Sequence, residues 1–349
     1  MGVWFCSRED VKGALDVAET ARVNAKIDRE IEAASRGIEA LCHRRFAPTL
    51  DTRYKAWPDS QQGRSYRVWL DQDELIQTPT AIMSGGHTLD LAHVFLEPAN
   101  FGPPFDRIEI DLSSSTGFDT GSTHQRNIAI TGLFGYSNDE DSVGALSANL
   151  AASLTATASA TWTTAHIGVG DVLRIDSERT IVTEKTMVDS TQTLLTPMGA
   201  TAADVTVAVT NGAAFVVDTV LLLDSERMLV VDIAGNNLTV KRAWDGSVLA
   251  AHSGSAIYTL TGVQLDRAQL GTTLAAHLSA ATIYKWRPPG PVRQLAIAEA
   301  LNSLEQESSA YARVVGSGDS ARPASGAGLD DLRESVYNSH GRKARIRAI

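Results

Sequence analysis

Between Ile27 and Cys42 the apolar residues Ile27, Ile31, Ala34, Ile38, Leu41 and Cys42 recur at helical spacing. That spacing places them on one side of a helix, with Asp28, Arg29, Glu32, Arg36 and Glu39 on the other faces. Asn24 or Asp28 can cap its start, and Pro48 stops it near Phe46. A shorter helix is predicted before it, from Arg8 to about Glu19, because Ser7 and Asp10 have capping-box spacing ahead of Val11, Ala14, Leu15 and Ala18. Near the far end Val292, Leu295, Ala296, Leu301 and Leu304 form a second stripe running towards Tyr311. It opens after Pro288–Pro291, since proline is tolerated in a first helical turn. The two stripes are each other's obvious partners, so Ile31 and Leu301 are expected in one core.

From Thr52 the period shortens towards two. Tyr66, Val68 and Leu70 alternate with polar or aromatic neighbours, as do Ile108 and Ile110. Ala81–Met83 and Val94–Leu96 flank the turn signal Ser84-Gly85-Gly86. Asn127–Tyr136 reads as a strand in which Gly132 and Gly135 mark a bulge or a close backbone approach. Ser142–Thr164 is Ser/Thr/Ala-rich and reads as a linker with a weak strand.

An internal repeat follows. Val169–Val182 aligns without gaps on Val217–Val230, sharing V-L, the whole of D-S-E-R and a closing valine. Each copy predicts strand, turn, strand, and Asp245-Gly246 signals a hairpin turn. Two consecutive all-β units are expected, roughly Ser147–Thr201 and Ala202–Thr261. Leu265–Leu278 is predicted as a short helix, and Leu329–Tyr337 as a last one beyond a Gly/Ser-rich link at Gly316–Gly328. The expected fold class is α+β: a helical-hairpin or bundle frame from both chain ends with a small β-sheet (1–140 with 262–315). Into it would be inserted an all-β domain of two repeats (145–261), and an extended C-terminal tail (316–349) would follow.

A chain of 349 residues with 43% hydrophobic content has room for two or three cored domains. No run of eighteen apolar residues predicts a membrane span, and the first residues lack a secretory pattern. Only Cys6 and Cys42 are present, which suits a reducing compartment rather than a disulfide framework. A net charge of −10 argues against a nucleic-acid-coating surface. The last nine residues, GRKARIRAI, depart from that balance: they hold four bases and no acid, so this tip suits an anionic partner or a solvated tail.

Candidate chemistry is thin. Asp176/Glu178 and Asp224/Glu226 resemble paired carboxylates, but each pair lies in one short turn without the donor spacing of a calcium loop, so turn chemistry is the expected role. His87, His93 and His124 lack zinc-site spacing, and Cys42 falls on a buried stripe as an inert thiol. No phosphate-loop, nucleophile-elbow or dinucleotide fingerprint occurs. No enzyme activity, cofactor or metal is expected.

S-R-E-D-V-K at the start, the helix end IEALCHRRFAP, the strand AITGLFGY and the close GRKARIRAI together resemble the head-to-tail adaptor (connector) proteins of long-tailed bacteriophages. The likeness covers Ser7–Tyr136 and Ile283–Ile349, and the repeat pair resembles β-modules of phage structural proteins. It implies a virion protein of the neck, made in the host cytoplasm: a twelve-copy ring beneath the portal protein, through whose lumen DNA passes without sequence-specific binding. It also implies a downstream neck or tail-completion partner, with the capsid open as a further contact for the repeats. The family's C-terminal segment enters the portal. Here that segment would use Leu332, Val336, Tyr337, Ile346 and Ile349 as apolar anchors, with Arg342, Lys343, Arg345 and Arg347 as cations. The alternative is a tail-associated module that recognises a glycan or host surface, for which Trp162, Trp244 and Tyr258 are the aromatic candidates.

Overall fold

The computed structural model describes residues 2–14, 24–57, 64–164, 166–308, 314–315, 322–323 and 327–342. Four helices are present among them: α1 (Arg8–Ala14), α2 (Asn24–Cys42), α3 (Gly290–Ser308) and α4 (Ala327–His340). The predicted end of the first helix, Leu15–Glu19, lies outside the described residues. Ile27, Ile31 and Ile38 of α2 are fully or almost fully buried against Val292, Leu295, Ala296 and Ala300 of α3. Leu301 packs against the same cluster, so the two ends of the chain do share a core.

The helical frame itself is overturned. Strands make up 36% of the structure against 22% helix, in large antiparallel sheets, so this is a mostly β protein. The reason lies in what α2 and α3 pack against. Their cluster is completed by Phe5, Phe46 and Trp286 and by Val169, Val172 and Ile181 of the supposed insert. The helices thus form a layer laid on a sheet.

Seven strands precede that sheet: β1 (Thr49–Lys55), β2 (Arg67–Trp69), β3 (Ala81–Ser84), β4 (His87–Thr88), β5 (Val94–Glu97), β6 (Arg107–Ile110) and β7 (Ile128–Phe134). They form a four-stranded sheet in the order β1-β7-β3-β4 and a three-stranded one, β2-β6-β5. Val68, Ile82, Ile108, Ile128 and Ile130 point from both into one core. Gly135, with φ 139°, lets the backbone approach the Ala47 carbonyl, where a Cβ would sit 2.5 Å away.

Besides a short separate pair, Val314–Val315 with Arg322–Pro323, the remaining strands are β8 (Glu140–Leu146), β9 (Thr155–Ala158), β10 (Ala160–Trp162), β11 (Val172–Ile175), β12 (Glu178–Thr193), β13 (Thr206–Ala208), β14 (Val220–Leu223), β15 (Glu226–Ala234), β16 (Asn237–Lys241), β17 (Ala256–Gln269) and β18 (Thr282–Trp286). They make one eleven-stranded antiparallel sheet, with β9 branching from β17. β18 and most of β8, which lie outside the expected insert, hydrogen-bond to each other, and β18 pairs with β11. Backbone pairing therefore runs through the expected domain border, and the sheet is the continuous scaffold.

Two sequence expectations fail here for the same reason. Leu265–Leu278 is not a helix, because β17 continues to Gln269 along β12. Asp245-Gly246 does not join paired strands either. It sits in the loop between β16 and β17, which pair with other strands. Local propensity gave way to long-range pairing in both places.

Candidate functional site

Every D-S-E-R turn closes on a distant arginine and histidine. In the first, Asp176 takes φ 51° at the tight β11–β12 turn, and the Glu178 side chain enters the protein with no exposed surface. Its carboxylate accepts from Arg267 Nε and Nη2 at 2.8 and 2.7 Å, from the Ala268 and Ala275 amides at 2.8 and 3.0 Å, and lies 3.0 Å from His277 Nε2. His277 Nδ1 lies 2.7 Å from Asp176 Oδ2. The second copy repeats the arrangement: Glu226 accepts from Arg242 at 2.7 and 2.8 Å and from the Ala243 and Ala250 amides, both at 2.9 Å. His252 bridges Glu226 and Asp224 at 2.9 and 2.7 Å.

The sequence signal for these partners is a second repeat. R-A-Q-L-G-T-T-L-A-A-H (267–277) matches R-A-W-D-G-S-V-L-A-A-H (242–252) at R-A, G and L-A-A-H. The backbone agrees: Ala268 and Ala243 take φ 55° and 50°, and Gly271 and Gly246 take 76° and 71°. The order D-S-E-R, D-S-E-R, R-A-H, R-A-H makes the pairing nested. The inner unit, with Leu221, Met228, Val230, Leu238 and Ile257 in its core, sits within the outer one, with Leu173, Ile175, Val182, Leu265 and Ile283. β12 and β17 run through both as one bulged ribbon.

An Asp–His–Glu line looks catalytic, but every acceptor of the buried glutamates is already engaged and both arginines spend further N–H groups on carbonyls. Arg267 donates to Ala151 and Ala275, and Arg242 to Gly199, Asp204 and Ala250. Such a saturated network is a structural staple that ties the repeat's start to its end. Burial alone would raise both glutamates, yet the arginines, amides and histidines outweigh it and hold Glu178 and Glu226 at about 2 instead of 4.5. The folded values lie below the unfolded ones, so this stabilisation is present above pH 4.5 and is lost as pH falls towards 2. We expect acid titration followed by circular dichroism to show the β-sheet signal collapsing in that interval. Each glutamate contributes on the order of 3 kcal/mol of this pH-dependent stability in total, and Glu226→Gln makes the dependence shallower.

Gly271 belongs to the outer staple and also touches β1. Its amide neighbourhood lies against Leu50, whose backbone amide donates to Leu270 O at 2.9 Å, and a Cβ on Gly271 would collide with the Leu50 carbonyl. Gly271→Ala is expected to lower stability by about 2 kcal/mol or more, read as a fall in melting temperature, because positive φ and the collision add.

The residues expected to engage a portal divide in two. Lys343, Arg345, Ile346, Arg347 and Ile349 lie outside the described residues. The others are occupied within the subunit. Val336 is fully buried among the helices, Leu332 packs on the same cluster and Tyr337 is half-buried. Arg333 reaches Glu299 of α3 with Nη2 at 2.8 Å from Oε2. At the end of α4, His340 Nδ1 lies 3.0 Å from Tyr136 Oη, and the His340 carbonyl accepts from Arg44 at 2.9 Å. The Arg342 amide donates to Cys42 O at 2.9 Å, and its guanidinium pairs with Asp71 at 3.2 Å. Leu332 and Val336, expected as apolar portal anchors, are thus already covered by α2 and α3.

Both cysteines are buried, and burial pushes their thiols up, away from the reactive thiolate. No helix among the described residues is long and apolar enough to cross a membrane. No family model, curated protein or solved structure matches this chain.

Proposed function

We propose that this chain is a structural virion protein, a head-to-tail adaptor that assembles as a ring on the portal and prolongs the DNA channel towards the tail. The observation that carries the reading is the anchored exit of the C-terminus. α4 is bolted to α2 and α3, and Arg342 is fixed between Cys42 and Asp71, so residues 343–349, KARIRAI, start from a defined point on the body. Three bases without an acid suit contact with an acidic or carbonyl-rich surface, which in this reading is the portal's. The portal-binding set thus contracts to Lys343, Arg345, Ile346, Arg347 and Ile349, with α4 as the fixed base. The ring, its twelve copies, the downstream neck partner and the DNA lumen follow from the family resemblance of the two chain ends. The saturated staples are what a scaffold under mechanical load needs, since they leave no reactive group open.

Electron microscopy of particles carrying a tag inserted at an exposed loop of this chain tests the assignment. Density at the vertex where head meets tail is the expected result; density at the tail tip or on the capsid faces would reject it.

A further inference from the structure

A cavity of 360 Å³ lies where α1, the outer unit and the inner unit meet. Its size falls at the low end of small-molecule sites, which span about 300–1,000 Å³. Trp162 and Trp244, one from each unit, both line it, with apolar support from Ile167, Leu229 and Val263. Tyr258, the third aromatic candidate, does not. Trp162 is held in place by its Nε1 donating to Thr261 O at 2.7 Å. Two indoles lining one cavity offer flat, polarisable surfaces for the C–H faces of a ring-shaped ligand, and Lys241 Nζ lies 4.9 Å from the Trp244 ring centroid.

The polar groups narrow the ligand class. Lys185 lines the cavity and is influenced by Glu9, Asp171 and Lys285 through charge alone, with no hydrogen bond to another described residue; burial pushes its ammonium down. Glu9 gives one oxygen to the Val169 amide at 2.8 Å and is pushed up by burial. Of the other charges lining it, Asp10 is held by Arg293 at 2.7 Å, Asp245 by Arg227, Asp218 lies 3.9 Å from His166, and Lys12 adds a further base. An anion would meet Glu9 and Asp218, and a cation would meet Lys185 and Lys12, so a neutral ligand fits best. A hydroxyl both accepts and donates, so adjacent hydroxyls satisfy Lys185 as donor and Glu9 as acceptor at once.

We infer that this cavity is a binding site for a neutral saccharide, one or two pyranose rings stacked on Trp162 and Trp244 with a vicinal diol on Lys185 and Glu9. The site spans both nested units, which gives the repeat pair a role besides scaffolding, and it stands or falls independently of the adaptor role.

The test is saturation-transfer NMR of the full chain at millimolar concentration with neutral mono- and disaccharides, α- and β-linked gluco- and galacto-pyranosides among them, and with sialylated and sulfated sugars for comparison. Transfer to the pyranose C–H protons of at least one sugar is expected. Binding should weaken about tenfold or more in Trp244→Ala, and equally in Lys185→Met, a variant that removes the donor and keeps the stem. Near-ultraviolet circular dichroism of both variants must match the parent chain, and the Lys185→Met result decides where Trp244→Ala unfolds. No transfer from any neutral sugar, equal binding by Lys185→Met, or a preference for sialylated or sulfated sugars would overturn the inference.

Discussion

Arg242→Met is expected to cost about 3–5 kcal/mol, the price of leaving a buried carboxylate without its partner. Glu226 is wholly enclosed, so the ion it would leave behind has no route to water. Methionine fills the stem's volume but supplies none of the five bonds that Arg242 makes to Glu226, Gly199, Asp204 and Ala250. The loss should be local first. Amide hydrogen exchange read by mass spectrometry should show peptides of β14–β16 losing protection while those of α2 and α3 keep theirs. The double variant Glu226→Leu/Arg242→Met should recover most of the stability, because an apolar pair replaces a buried ionic one at little net cost. If the single variant unfolds no more readily than the parent, the staple is not what holds the inner unit.

The second large effect concerns the helical layer. Val336 is the one fully buried side chain of α4 among the described residues, seated in the cluster that also holds Ile31 and Leu295. Val336→Asp places a carboxylate there with no basic partner and is expected to cost several kcal/mol. α4 is held besides by Arg333–Glu299 and by the contacts of His340 and Arg342, which are partly exposed and worth far less each. The helix should therefore detach with the rest of the fold intact. Limited proteolysis is expected to cut between 327 and 342 in the variant and to leave the parent uncut there. Under the adaptor reading the same variant should lose portal docking although residues 343–349 are unchanged, since their fixed starting point is gone.

How much of this was legible beforehand depended on the range over which each signal acts. The α2 and α3 stripes were readable because helical spacing is local, and so were the strands with Val68, Ile108 and Ile128. The close backbone approach at Gly135 was legible too, as a glycine at the end of an apolar strand. The balance between helix layer and sheet was not, because it rests on Glu140–Leu146 pairing with Thr282–Trp286 across the whole insert. The D-S-E-R turns were read correctly as turns at Asp176 and Asp224, but the inward path of Glu178 and Glu226 was missed. Charged residues beside a turn usually face water, and only the matching R-A-x-x-G-x-x-L-A-A-H segments pointed elsewhere. Leu332 and Val336 of α4 read in the sequence as anchors for another molecule, because a short amphipathic stretch does not say whose surface it covers.

The adaptor reading turns most directly on portal docking. Portal rings of the phage that this reading implies would be mixed with the full chain and with a chain ending at Arg342, and the products imaged by electron microscopy. The account predicts a second ring of this protein on one face of the portal with the full chain, and bare portals with the shortened one, while α4 stays protected in both. A shortened chain that docks as well as the full one, or a full chain that never docks, would contradict it.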